Sequence, residues 1–264
     1  MTPLAKAGTA LLSVVLRRAE ALPGGDLSQI VRISLADGRE AIVKSETAPR
    51  VEAGMLKAIA ANGAPAPAVL AWSDEALVIE VVPAGGSLHE AWASLGSVLA
   101  TLHATKARSY GWVEDYAFGA VAIANGWMDG WADRRMLVHC AHLSPPLARR
   151  VEALAADLSN CLPAQPSPAL LHGDLWGGNI LIARNRVSAL IDPACYHGHA
   201  EVDIAMLGLF NRPSPAFYES YGALEPGHKE RLLIYRLWPA LVHLRLFGDG
   251  YRPIVEHLLS EAGA

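Results

Sequence analysis

Asp174, Asn179 and Asp192 are the residues whose types and spacing first suggest chemistry. Asp174 and Asn179 stand five positions apart in the stretch LLHGDLWGGNI, residues 170–180. Phosphoryl transfer needs a carboxylate to orient or deprotonate an attacking hydroxyl, and an amide oxygen to help hold Mg²⁺. Kinase catalytic loops place an Asp and an Asn at this separation. Taken alone, the loop also fits a glycine-rich turn whose Asp and Asn bond their own backbone. Asp192 tips the balance. It ends an apolar strand, and the turn Arg184-Asn185-Arg186 makes residues 179–192 a hairpin. A hairpin brings its two ends together, so Asn179 and Asp192 are expected to face one site and share one Mg²⁺.

A phosphoryl donor must then be held by the N-terminal part of the chain. Lys44 ends an alternating strand after a hairpin, where a lysine can reach nucleotide phosphates if a helix carboxylate holds it. Glu52 on the following helix is the candidate partner. Gly24, Gly25 and Ser28 precede the first strand and offer backbone N–H groups to phosphate, although no GxGxxG pattern is present. The strand LVIEVV leads into PAGGS, a candidate hinge where an adenine edge would pair with main chain at Glu80 and Val82.

These residues must be positioned by the elements around them. Residues Thr9 to Ala21 are expected to form an amphipathic helix ended by Pro23-Gly24-Gly25. In SQIVRISLADGREAIVKSE, Val31, Ile33 and Leu35 share one face, and Asp37-Gly38 marks a hairpin. The stretch RVEAGMLKAIAANG reads as a helix with Val51, Met55 and Ile59 inward. After Ser87 helical periodicity dominates, interrupted by the loop and hairpin of residues 170–192. The expected fold class is therefore α+β. Residues 1–82 form a small antiparallel-sheet N-lobe for nucleotide, and residues 83–264 form a larger, mainly helical C-lobe for catalysis, metal and substrate.

Composition narrows the partners. A net charge of −4 provides no chain-wide basic field for nucleic acid or an anionic membrane. No apolar run approaches the roughly 18 to 20 residues of a membrane span. The three cysteines are too few and scattered for a disulfide framework, so a cytoplasmic setting is expected. The oligomeric state stays open.

The order Lys44, Glu52, a hinge strand, HGDLWGGN and IDPACYHGHAEVDIAML resembles the kinase-like phosphotransferase fold shared with aminoglycoside phosphotransferases and choline kinases. Within it, LLHGDLWGGN, Asp192-Pro193-Ala194, Tyr196, Gly198-His199, Glu201 and Asp203 are similar to the fructosamine kinase family. That resemblance implies ATP and Mg²⁺ as cofactors. It implies phosphorylation of O3 on a ketoamine sugar, carried by a small amine or a glycated protein lysine. The phosphate makes the adduct labile and frees the amine, a deglycation. Asp174 would be the base, Asn179 and Asp192 the metal ligands, and Lys44 held by Glu52 the phosphate contact. Trp176 is then either an apolar platform for a sugar face or a core tryptophan. His172 is expected to brace the loop through a backbone bond. His199, Glu201 and Asp203 either bond the catalytic loop or are solvated acids at a helix start. Trp127 and Trp131, four apart, are expected on one helix face in the core. Another small-molecule kinase of the same fold is the nearest rival. A pseudokinase scaffold would show degraded metal ligands, and Asp174, Asn179 and Asp192 are all present.

Overall fold

A computed structural model describes residues 2–23, 28–45, 47–131 and 135–264 of the chain. The first helix, α1 (Pro3–Leu12), starts where Thr2 accepts a hydrogen bond from the Ala5 N–H at 3.2 Å, with proline in its first turn. It ends at Ser13, which adopts a left-handed conformation. The expected helix over residues 9–21 is therefore misplaced. Its later part is strand β1 (Leu16–Leu22), which pairs antiparallel with β2 (Ile30–Leu35). Ala, Arg, Glu and Leu are good helix formers, but pairing along a sheet edge outweighs a preference of a few tenths of a kcal/mol per residue.

β3 (Glu40–Ser45), α2 (Pro49–Ala61), β4 (Val69–Trp72) and β5 (Ala76–Glu80) complete this part. The five strands form one antiparallel sheet in the order β1-β2-β3-β5-β4. Strand alternation sends Val31, Ile33, Leu35, Ala41 and Val43 to one face, where they bury against Leu4 and Ala5 of α1. Gly8 lets α1 lie directly on Val43, since a side chain there would overlap it. The opposite face receives α2, whose Ala53 and Leu56 pack with Leu77 and Ile79. Met55 and Ile59 of the same helix reach into the large C-terminal core, so α2 joins both halves.

The remainder comprises α3 (Trp92–Ala104), β6 (Tyr116–Phe118), β7 (Val121–Ile123), α4 (Pro145–Cys161), β8 (Ala169–Leu171), β9 (Ile180–Ala183), β10 (Arg186–Leu190), β11 (Tyr196–Gly198), α5 (Glu201–Phe210), α6 (Pro215–Tyr221), α7 (His228–Phe247) and α8 (Arg252–Glu261). A sheet followed by a mainly helical part is the expected α+β class. The pairs β8–β11 and β9–β10 are short, buried and antiparallel. Among the described residues, no helix is long and apolar enough to cross a membrane.

Candidate active site

Two short ladders place the loop. β8 delivers His172 to Asn179, and β9 and β10 return the chain to Asp192. The ends are tied by main chain: the Ile191 N–H donates to Asn179 O at 3.0 Å and the Ala194 N–H to His172 O at 2.9 Å. Gly173 has φ +83°, and a Cβ there would overlap the Ala194 carbonyl oxygen. Only glycine allows this approach. Asp192 itself stands at φ 53°, an uncommon conformation for a residue with a side chain.

Asp174 and Asn179 are in direct contact. The Asn179 Nδ2 donates to Asp174 O at 2.8 Å and to its Oδ2 at 3.0 Å. The asparagine Oδ1 lies outside those two bonds. Burial in the cleft floor, with the Asp192 and Asp203 charges nearby, pushes the Asp174 carboxyl up to about 7, against the Asn179 bond. A carboxylate near that value is well matched to accept a proton at neutral pH.

Lys44 reaches the same place from β3. Its Nζ donates to Glu52 Oε1 at 2.7 Å and to Asp192 Oδ1 at 2.5 Å. Lys44 and Glu52 are both almost fully buried, at 3% and 1% exposure. A buried ammonium persists only when paired, and here it is shared between the α2 carboxylate and Asp192.

Asp203 holds the loop from beneath. Its carboxylate accepts from the His172 N–H at 2.7 Å and the Gly173 N–H at 2.9 Å, and meets His103 Nε2 at 3.0 Å. Burial alone would raise this acid, but the bond and charge of His103, helped by His172 and the Gly173 N–H, keep it below the ordinary aspartate value. Burial also lowers the His172 pKa, so its ring is neutral near pH 7. The ring bonds Ile191 O at 3.0 Å through Nε2, while Nδ1 accepts weakly from the Asp174 N–H at 3.4 Å. That pattern fits the Nε2–H tautomer and a bracing role.

The other sequence candidates separate. Glu201 pairs in two bonds with Arg231, at 2.6 and 2.7 Å. His199 meets the Tyr235 hydroxyl at 2.9 Å. Of the three residues, it is Asp203 that bonds the catalytic loop. Ser28 lines the cleft, whereas Gly24 and Gly25 lie outside the described residues. Glu80 and Val82 do not line it. The Glu80 N–H is committed to Ala68 O at 2.9 Å, so a purine edge at this strand end would use another main-chain group. Trp176 is 41% exposed at the cleft, edge-on to Phe210 at 6.4 Å and lying over Gly178. Trp131 is buried and its Nε1 donates to the Tyr235 hydroxyl at 3.0 Å. Trp127 departs from expectation: it is 52% exposed and stacks on His197, and neither tryptophan stands on a helix.

The cleft has a volume of about 660 Å³, within the range of small-molecule sites. Lys44, Glu52, Asp174, Asn179 and Asp192 share it with a wall of aromatic rings from α5, α7 and the turn before α8. Among the described residues, no group of three or more His, Cys, Asp or Glu could cage a metal. Mg²⁺ held through substrate phosphates needs only one or two protein oxygens. The Asp192 carboxylate and the Asn179 amide oxygen are hard donors of that kind, so the residues present fit the ion.

Several residues here carried no sequence signal. His103 sits a hundred positions from Asp203. Arg231 and Asn211, whose Oδ1 accepts from the Gly177 N–H at 2.9 Å, lie 30 and 34 positions from the residues they hold. Helical periodicity alone does not report such partners.

A sheet-plus-helix fold with a buried Lys–Glu pair, an Asp–Asn loop and a second acid defines a kinase-like phosphotransferase. A model of the fructosamine kinase family matches residues 9–262. A probable ketoamine kinase of Thermus thermophilus is 34% identical over 87% of this chain and 88% of its own length. One from Synechocystis is 37% identical over 70% of this chain, and the match spans 66% of that relative. The crystal structure of a Thermobifida fusca protein assigned as a fructosamine-3-kinase superposes with a TM-score of 0.89 at 29% identity, covering 98% of each chain. The chain belongs to the fructosamine kinase family, whose members are ATP-dependent phosphotransferases.

Proposed function

We propose that the protein transfers the γ-phosphoryl group of ATP to O3 of a ketoamine sugar. Residues 1–82 hold the nucleotide, and residues 83–264 supply the base, the metal ligands and the sugar site. Asp174 takes the proton from the sugar hydroxyl as the new O3–P bond forms. The bond from Pγ to the bridging oxygen breaks, and ADP leaves. Lys44, fixed by Glu52, contacts the α- and β-phosphates. Asn179 and Asp192 hold Mg²⁺, which supplies neutralisation of phosphate charge. Trp176 offers an apolar face to the sugar's C–H surface. A phosphate at O3 makes the adduct labile and releases the amine, which is the deglycation role.

The observation that carries this reading is that Asp174, the Lys44–Glu52–Asp192 cluster and an aromatic wall all line one cleft. An aminoglycoside kinase would need acids on its acceptor side to bind a polycation. Among the described lining residues, the carboxylates are Glu52, Asp174 and Asp192, all at the catalytic end. The test is ADP release with ribulosyl-lysine, fructosyl-lysine and kanamycin as acceptors. Turnover on a ketoamine is expected. Turnover on kanamycin with none on either ketoamine would overturn the proposal.

A further inference from the structure

The acceptor end of the cleft is built from rings that the phosphoryl-transfer chemistry does not use. Phe210, at the end of α5, lies 4.8 Å from the His243 ring of α7. His243 in turn lies 5.1 Å from Tyr251 and 5.5 Å from Phe247, and those two are 5.8 Å apart. Trp176 continues the wall toward Asp174 through its edge contact with Phe210. All five line the cleft, and Trp176 and Phe247 keep 41% and 40% of their surfaces exposed there. Large apolar rings left open in a concave site are covered when an apolar group enters.

The wall carries no fixed charge. His243 Nδ1 bonds the Pro239 carbonyl at 2.8 Å, the geometry of a neutral ring donating along its own helix. Burial lowers its pKa, which keeps it neutral near pH 7. Arg252, next to Tyr251, is turned to Asp249 at 2.8 Å and does not line the cleft. Lys44 is the one lysine or arginine among the described lining residues, and Glu52 and Asp192 already hold it. An ammonium is favoured over such ring faces, whereas a carboxylate would meet their negative quadrupole with no cation to pair it.

We propose that this wall receives the amine side of the substrate and selects a ketoamine whose nitrogen carries an apolar group over one whose nitrogen carries a carboxylate. The secondary ammonium sits against ring faces, and the substituent covers Phe247 and Tyr251. The proposal rests on the ketoamine kinase reading above. It distinguishes adducts of benzylamine, or of a lysine side chain with its methylene stem, from adducts on the α-nitrogen of free amino acids.

The test holds the sugar constant and varies the amine. Initial rates of ADP release with Mg-ATP are measured on 1-deoxy-1-benzylamino-fructose and on the glycine adduct, 1-deoxy-1-carboxymethylamino-fructose. We expect kcat/KM to favour the benzyl adduct by about 10-fold or more, the scale on which an apolar pocket discriminates. In Phe247→Ala and Tyr251→Ala the preference is expected to shrink to about 3-fold or less, chiefly through KM for the benzyl adduct. Phe247 is exposed enough that its loss opens no core. Equal kcat/KM for the two adducts, or a preference unchanged in both variants, would overturn the selectivity while leaving the kinase reading intact. No turnover of either adduct, nor of the corresponding ribulosyl pair, would overturn the ketoamine kinase reading and the selectivity with it.

Discussion

Asp174→Asn should stabilise the ligand-free protein at alkaline pH while removing its activity. The folded protein holds the Asp174 proton up to about 7, against an ordinary value of 3.8. Below 3.8 both folded and unfolded chains are protonated there, and the acid costs nothing. Between 3.8 and about 7 the folded protein keeps a proton that the unfolded chain has lost, so stability falls as pH rises. At about 1.4 kcal/mol per pH unit the full cost reaches at most about 4 kcal/mol. Asp174 is partly open to the cleft, and solvent screening reduces this to about 2 kcal/mol. Asparagine has nearly the same shape and keeps an oxygen for the Asn179 Nδ2, so the variant removes the charge with little repacking. Urea unfolding without Mg²⁺ or nucleotide is the assay, run at pH 8 and again near pH 4.5. A gain of about 2 kcal/mol at pH 8 that nearly vanishes at the lower pH is expected. Turnover of ATP with ketoamine should fall by about a hundredfold or more. A variant no more stable than wild type at pH 8, or equally stabilised at both pH values, would refute the electrostatic argument.

Three further outcomes follow from the same geometry. Asp203→Asn sets a buried amide donor against one of the two N–H groups, of His172 or Gly173, that the carboxylate accepts; a loss of about 3 kcal/mol in urea unfolding and a lowered kcat are expected. Unchanged values of both would remove Asp203 from the support of the loop. Gly173→Ala forces a Cβ onto the Ala194 carbonyl from a positive φ, and should cost about 2 kcal/mol or more by thermal or urea unfolding. Gly54→Ala is the opposite case, because open space surrounds that helical position. It should stabilise by about 1 kcal/mol, and a destabilised variant would show that α2 moves against a surface this structure leaves clear.

The catalytic loop was legible because its chemistry is local. Asp174 stands five positions before Asn179, the hairpin from there closes at Asp192, and a hairpin's geometry follows from its turn residues and apolar alternation. The sheet was legible for the same reason, since Val31, Ile33 and Leu35 alternate cleanly. The strand β1 was not, because its residues favour helix in isolation and nothing in them records the pairing with β2. Trp127 and Trp131 share a residue type and a helical spacing, yet one packs in the core and the other stacks outside it.

The sequence by itself determined the α+β class and the base and metal candidates, because those depend on short-range periodicity and on residue types in one loop and the hairpin that follows it. Tertiary structure alone decided that Lys44 bridges Glu52 and Asp192, and that His103 and Asp203 fasten the loop. It also gathered Phe210, His243, Phe247 and Tyr251 into one wall of the cleft that Asp174 lines. These contacts join residues up to 148 positions apart. Their partners are chosen by how helices and strands pack, and no spacing along the chain records that choice.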